Sequence, residues 1–220
     1  MALISLVALF LFVAPTKAQQ AEPQLVITWH ANTYIPSWFK GKALPTANSS
    51  ITASLELSDR GKLVNLSQYT IYWYADDQLI SGGQGLQKIT FRAPSVSDNI
   101  VDLRAEVPAY TSGVLKTIAI PVVGPEATIE SPFPNGEFHS TPIELRGWPF
   151  FFNVKKSSSL NFSWAVNGKS SENLESPEVL TASLNADAPS GSSVSVGLTV
   201  SVPGSISDIA TKNVNLVFIK

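Results

Sequence analysis

The sequence predicts an all-β protein made of two similar β-sandwiches. Three observations support this prediction: short segments in which apolar and polar residues alternate, turn-forming residues between those segments, and a tryptophan-centred segment that occurs twice. Alternation with a period of two is the pattern of a strand with one buried and one exposed face, as in antiparallel sheets. Charged residues make up only 15% of the chain, against about a quarter in an average domain. Ample apolar material therefore remains for packed cores.

Five segments show the alternation clearly. In the first, ITASLELS, the apolar residues from Ile51 to Leu57 fall on one face and polar residues fall on the other. The other four follow the same rule and run from Val101 to Val107, Leu160 to Val166, Val194 to Val202 and Val214 to Phe218. Each is predicted to be an antiparallel strand, and no segment after the N-terminal region keeps a helical period.

The breaks between these segments contain turn chemistry. Asp76-Asp77 and Asn167-Gly168 follow the two tryptophan segments, and the glycine-rich stretch 82–85 comes shortly after the first of them. Asp, Asn and Gly tolerate the backbone conformations that tight turns need. Short strands spaced by about 8–12 residues with such turns are typical of a sandwich.

The chain is predicted to be a tandem repeat. Trp164 follows Trp73 by 91 residues, and Lys212 follows Lys116 by 96 residues. Repeats of roughly 95 residues have the size of an immunoglobulin-like domain, in which a tryptophan of the third main strand lies between the two sheets. Trp73 and Trp164 are therefore predicted to be structural core residues.

The sequence divides into four predicted parts. Residues 1–18 form a secretory signal peptide, because an apolar run precedes the small-x-small sequence Thr16-Lys17-Ala18. Residues 19–123 form the first sandwich, 124–136 a semi-rigid Pro/Gly-rich linker, and 137–220 the second sandwich. An uncleaved anchor is the competing interpretation of the first segment, but its apolar run is shorter than the ~20 residues that a spanning helix needs. We expect a secreted or cell-surface protein without a membrane span after cleavage.

The segment WHANTYIPSWFKGKALP, together with Pro149-Phe150-Phe151-Phe152 in the second unit, resembles sequences of small exported proteins of candidate-phylum (Parcubacteria-like) bacteria. The residues that carry the resemblance in the first unit are Trp29, Ala31, Tyr34, Pro36, Phe39 and Gly41 to Pro45. The resemblance implies two immunoglobulin-like or polycystic-kidney-disease-like (PKD-like) sandwiches, and it carries no catalytic or ligand residues. Where PKD domains have the signature Asp-Phe-Gly-Asp-Gly, this chain has Ala75-Asp76-Asp77.

The sequence predicts no catalytic residue, cofactor or metal. It has no cysteine, which excludes thiol catalysis and cysteine-ligated metal sites. It has no nucleophile elbow, zinc-protease motif or phosphate loop. No basic block supplies phosphate contacts, so nucleic acid is not an expected partner. The histidines, His30 and His139, lack partners at motif spacing, and Asp76-Asp77 is interpreted as a turn, with calcium binding as the alternative.

Two aromatic clusters are candidate binding residues. The first comprises Trp29, Tyr34, Trp38 and Phe39, and the second Trp148 and Phe151 with their aromatic neighbours. The first could be a platform for a sugar or peptide, or could face the core and cap the sandwich. The second cannot all face inward from one strand, because alternation sends some side chains outward. We expect packing between the domains, with an intermolecular contact as the alternative.

The predicted function is that of a non-enzymatic, exported cell-envelope protein with a structural, adhesive or surface-assembly role. Its expected partners are other envelope or surface proteins, with a glycan as a further candidate. The alternative hypothesis is a carbohydrate-binding module that uses Trp29, Tyr34 and Trp38. A third hypothesis is an extracellular enzyme whose site joins distant residues such as His30, Asp76 and Glu106.

Overall fold

The computed structural model describes residues 22–171, 176–185 and 187–220, so the predicted signal peptide lies outside the described residues. The described part contains sixteen strands and one short 3-10 helix, Ser157–Ser159. The strands are β1 (Gln24–Ala31), β2 (Ser50–Asp59), β3 (Lys62–Leu63), β4 (Thr70–Ala75), β5 (Gln78–Gln84), β6 (Lys88–Arg92), β7 (Asn99–Val107), β8 (Val114–Val122), β9 (Glu126–Glu130), β10 (Glu137–Phe138), β11 (Ile143–Phe150), β12 (Asn161–Val166), β13 (Lys169–Ser171), β14 (Val179–Ala182), β15 (Ser193–Ser201) and β16 (Ile209–Phe218). Within these described ranges, no helix has the length and apolar character to cross a membrane.

The first eight strands form one sandwich. One sheet has β2 at its centre, with β1 on one side and both β3 and β6 on the other, while the second sheet has the order β5-β4-β7-β8. The alternation seen in the sequence decides which side chains meet between the sheets. The largest fully buried ones are Ile51, Leu55, Leu57, Leu66, Ile71, Trp73, Leu103 and Ile120.

The last eight strands repeat this plan. One sheet has the order β14-β11-β9, and the other has the order β10-β16-β15-β12-β13. All pairs are antiparallel except β10 with β16, which is parallel. Its own core contains Phe138, Leu145, Phe152 and Trp164 among the fully buried side chains. Two facing sheets with this strand order define an immunoglobulin-like sandwich, which confirms the predicted fold class.

The repeat is visible in the register of the strands. Trp73 lies opposite Ala105, which lies opposite Lys116. In the second sandwich, Trp164 lies opposite Leu198, which lies opposite Lys212. The tryptophans and lysines that match in the sequence therefore occupy the same cross-strand row in both sandwiches.

Both core tryptophans are held in the same way. The indole nitrogen of Trp73 donates a 2.9 Å hydrogen bond to the carbonyl of Leu86, and that of Trp164 donates a 2.9 Å bond to the carbonyl of Pro177. Each acceptor lies 13 residues after its tryptophan. Because both side chains are fully buried, an unpaired N–H would be costly, and these bonds satisfy it.

The predicted turns after the tryptophan strands are also alike. Asp76 and Asn167 have positive φ angles of 49°, which Asp and Asn tolerate better than most residues. Their side-chain oxygens accept hydrogen bonds from the amides of Asp102 and Ser195 at 3.0 and 2.9 Å. Each turn is thereby tied to the strand beside it, β7 or β15.

Two segments differ from the sequence-based expectation. The sequence predicts a break at the glycine-rich stretch 82–85, but Gly82 and Gly83 lie within β5, and only Gly85 has a positive φ angle there. A Cβ atom at Gly82 would lie 2.7 Å from the Tyr72 ring, so the glycine gives that ring room on the neighbouring strand. In the segment predicted as a linker, residues 126–130 form β9 and pair with β11 of the second sandwich.

Candidate functional site

A long loop of the first sandwich reaches the second. Residues 32–49 connect β1 to β2, and the amide of Tyr34 donates to the carbonyl of Phe152 at 2.8 Å. The amide of Phe151 donates back to the carbonyl of Tyr34 at 2.7 Å. The same loop accepts, at the Pro45 carbonyl, a 2.9 Å bond from the amide of Val123, just after β8. The loop thus attaches both to the second sandwich and to the chain that leads into it.

Aromatic rings pack around these main-chain contacts. Trp38 meets Trp148 edge to face, with ring centres 5.2 Å apart and planes at 80°. Phe39 meets Phe150 at 5.3 Å and Phe151 at 6.3 Å, again edge to face. Such geometries suit the quadrupoles of aromatic rings and add about 0.5–1.5 kcal/mol per pair beyond burial. Trp38 and Phe39 of the first predicted cluster and Trp148 and Phe151 of the second therefore belong to one contact between the sandwiches.

The contact is buried on one side and open on the other. Phe150 and Phe151 are each 7% exposed, whereas Trp38 is 50% exposed and Trp148 is half-buried. The phenylalanines fill the junction, and the two tryptophans stand at its outer margin. An exposed tryptophan held in place by buried neighbours is suited to recognition, because it needs no ordering before a ligand arrives.

The two tryptophans line an open groove of about 380 Å³. Its other lining residues are Thr128, Ile129 and Glu130 of β9. The indole nitrogen of Trp148 donates a 2.6 Å hydrogen bond to the Glu130 carboxylate, and the Arg146 guanidinium lies 5.6 Å from the Trp148 ring centre. The groove thus combines apolar ring faces with a carboxylate and a nearby cation.

Strand register explains why these side chains share a surface. On β11 and β9, Trp148 lies opposite Thr128 and Arg146 lies opposite Glu130. Residues two apart on a strand point to the same face, so all four lie on the outer face of the sheet. The β1–β2 loop covers Phe150 at one end of that face and leaves the groove beside it.

Trp29 lies elsewhere. It is half-buried against the core of the first sandwich, and the Lys42 ammonium nitrogen lies 3.4 Å from its ring centre. Burial lowers the pKa of Lys42. Of the residues predicted for binding, Trp38, Phe39, Trp148 and Phe151 come together through their rings, and Tyr34 joins them through its main chain. The platform of Trp29, Tyr34 and Trp38 in the carbohydrate hypothesis is thus replaced by a pair, Trp38 and Trp148.

Sequence reasoning did not find Glu130, Arg146 or Thr128. They lie on alternating positions of two strands that pair across an intervening segment of about a dozen residues. The available signal was the alternation around Trp148, which places Arg146 and Trp148 on one face once β11 is known to be a strand. Nothing in the local sequence indicates that β9 is its neighbour.

The residues of the hypothetical enzyme site are spread over different parts of the first sandwich. His30 is exposed on β1, while Asp76 caps the turn beside β7 and Glu106 pairs with Arg104 on β7 at 2.9 Å. In the second sandwich, the His139 ring bonds to the carbonyl of Ile219. Throughout the described residues, no group of three or more His, Cys, Asp or Glu side chains is placed to hold a metal ion.

No protein-family model and no curated protein matches the chain, and several solved structures align with it at low sequence identity. Three N-terminal domains of the bacteriophage RB49 highly immunogenic outer capsid protein (Hoc) align with 13% identity and a TM-score of 0.44, over 90% of this chain and 59% of that one. Fibronectin(III)-like modules of Clostridium thermocellum CbhA align with 12% identity and a TM-score of 0.30, over 88% and 93%. A C-terminal fragment of intimin, in complex with the intimin-binding domain of its translocated receptor, aligns with 11% identity and a TM-score of 0.32, over 88% of this chain and 64% of that one. The chain spans less than two thirds of the Hoc and intimin chains. The strand order described above, and not these likenesses, carries the fold assignment.

Proposed function

We propose that this protein is an exported, non-enzymatic surface protein that acts by binding, with the groove at the junction of its two sandwiches as the working site. Its place is outside the cytoplasm, either secreted or on the cell surface. Its partners are components of the cell envelope, and its role is adhesive or in surface assembly.

The observation that carries the proposal is the junction itself. The β1–β2 loop contributes main-chain hydrogen bonds and two aromatic rings to the second sandwich, so the two domains are held in a fixed relation. Flexible tandem domains usually have small polar interfaces, whereas this one is aromatic. A fixed pair of sandwiches with an exposed tryptophan at the seam presents one composite surface to a partner, and Trp is among the residues most enriched at binding hot spots.

The second candidate function is carbohydrate binding, favoured by the perpendicular pair of Trp38 and Trp148 beside a carboxylate. It differs from the first only in the chemistry of the partner. Both candidates place the contact on the same groove.

The proposal can be tested with the purified full chain immobilised on beads and incubated with an envelope extract of the source organism. Proteins and glycans that are retained are identified by mass spectrometry. Trp38→Ala is compared with Leu63→Ala, since Leu63 is a solvent-exposed apolar residue on β3, away from the groove. Circular dichroism and thermal unfolding establish that both variants are folded.

We expect the wild-type protein and Leu63→Ala to retain the same envelope component and Trp38→Ala to lose most of it. Surface labelling of intact cells should reach the native protein. Equal retention by all three proteins would remove the groove from the proposal. Catalytic turnover by the purified chain, or a protein that surface labelling reaches only after lysis, would refute the proposed class.

A further inference from the structure

We propose that the groove between Trp38 and Trp148 binds a neutral oligosaccharide, and that both sandwiches are needed to form the site. This inference rests on the proposed binding function and specifies the ligand. The first observation is the volume of the groove. It is about 380 Å³, which lies at the lower end of the range for small-ligand sites, about 300–1,000 Å³. That volume suits a short stretch of saccharide better than a folded protein surface.

The two indoles supply apolar walls in two directions. Their planes stand at 80° to each other, with Trp38 half exposed and Trp148 half buried. A pyranose ring has C–H groups on its faces and hydroxyl groups around its edge. One face of the sugar can lie on an indole, which removes apolar area from water on both partners.

The rim of the groove supplies hydrogen-bonding groups of both kinds. One Glu130 oxygen accepts the indole N–H of Trp148, which fixes the carboxylate and leaves its second oxygen as an acceptor. The Thr128 hydroxyl can donate or accept. The Arg146 guanidinium lies beside the Trp148 ring, next to the groove lining, and only donates. Sugar hydroxyls both donate and accept, so they can satisfy each of these groups in turn.

The charges at the groove argue for a neutral ligand. Glu130 and Arg146 occupy opposite positions on neighbouring strands, so one negative and one positive side chain lie next to each other on this face of the sheet. An anionic ligand would meet the Glu130 carboxylate, which is already placed at the groove. A cationic ligand would compete for the Trp148 ring with Arg146, whose guanidinium lies 5.6 Å from it. A neutral polyhydroxylated ligand avoids both conflicts.

The site is composite, because Trp38 comes from the first sandwich and the remaining lining residues come from the second. Phe39 and Phe150 hold Trp38 in place. Loosening the junction should therefore weaken saccharide binding even where no lining residue changes.

The test is a titration of the full chain with soluble neutral oligosaccharides, namely cello-, xylo-, malto- and N-acetylchito-oligomers. Cationic chitosan oligomers and anionic oligogalacturonides are titrated as charged comparisons. Tryptophan fluorescence and isothermal calorimetry report binding. Two of the five tryptophans line the groove, so binding of a matching oligomer should change the wavelength and the intensity of their part of the tryptophan emission. We expect Trp38→Ala to raise the Kd at least about tenfold, as for a hot-spot residue, and Trp38→Phe to retain most of the affinity. Phe39→Ala should raise the Kd severalfold.

Trp29→Phe is the matched control, because Trp29 lies against the first core and outside the groove. It should leave both the Kd and the fluorescence change as in the wild-type protein. No response to any of the oligomers at millimolar concentration would overturn the inference. If the envelope extract still supplies a protein partner that Trp38→Ala loses, the proposed binding function stands and the saccharide assignment fails. Stronger binding of charged than of neutral oligomers would also refute the assignment.

Discussion

Replacing Phe39 with alanine should uncouple the two sandwiches without damaging either core. Phe39 belongs to the β1–β2 loop of the first sandwich, but its ring packs on Phe150 and Phe151 of the second. It belongs to neither of the two hydrophobic cores. The change therefore acts on the contact between the domains.

The magnitude follows from burial. Removing a fully buried phenylalanine side chain costs about 3–5 kcal/mol, and Phe39 is half-buried. Its two ring pairs across the junction are included in that loss. We estimate a loss of about 2 kcal/mol of coupling free energy. For a domain of about 100 residues, this corresponds to a fall of roughly 8 °C in Tm.

Differential scanning calorimetry separates the two domains. When the less stable sandwich unfolds, the junction is lost with it, so its transition should fall by roughly 8 °C. The more stable sandwich unfolds afterwards, when its neighbour is already gone, so its transition should not move. Lys40→Ala, which alters an exposed neighbour, should change neither transition.

Gly41→Ala provides an independent perturbation of the same ring. A Cβ atom at Gly41 would clash with the tip of the Phe39 ring, so the ring must shift from its place against Phe150 and Phe151. The lower transition should again fall while the upper one stays. Equal shifts of both transitions, or no shift in either variant, would refute the idea that Phe39 couples the domains.

Three further predictions concern the sandwiches themselves. Trp164→Phe leaves the carbonyl of Pro177 without its donor, and should cost the second sandwich about 2 kcal/mol in urea unfolding without affecting the first. Asp76→Ala should lower the free energy of unfolding by about 1–2 kcal/mol, because alanine cannot accept the hydrogen bond from the β7 amide and disfavours the positive φ angle. Asp76→Asn should restore most of this stability. Calcium should not stabilise the wild-type protein. The hydrogen bond that the Tyr110 hydroxyl donates to Asp59 raises the pKa of Tyr110 above its usual 10.0. The stability that this hydrogen bond contributes is therefore present below pH 10.0 and is lost as the pH rises through the raised pKa. The difference in Tm between the wild-type protein and Tyr110→Phe should therefore shrink at alkaline pH, and a constant difference would contradict this.

Much of the fold could be predicted from the sequence, because alternation of apolar and polar residues is the pattern of a strand with one buried face. Ile51 to Leu57 and Val101 to Val107 alternate cleanly, and the inward residues are buried as expected. The prediction of a break at the glycines of β5 is wrong, because an exposed edge strand can form without alternating apolar residues. The sequence pattern places β9 in the linker, because this strand is short and lies among prolines and glycines.

The candidate site could be predicted only in parts. Large aromatic side chains at exposed positions were recognisable in both units. That Trp38 meets Trp148 depends on how the second sandwich is placed against the first, which is set by contacts between residues more than a hundred positions apart. The charged pair of Glu130 and Arg146 depends on the register of β9 and β11, which no local pattern specifies.

The attachment of the β1–β2 loop also determines how the protein responds to tension. Two main-chain hydrogen bonds join Tyr34 to the 151–152 segment, whereas β7 and β8 pair over nine residues within the first sandwich. A pull on the two ends would therefore separate the domains first and spare the sandwiches. The chain between them would then extend by a short, recoverable length. We expect a junction of this kind to open under a brief load and to close again when the force is removed.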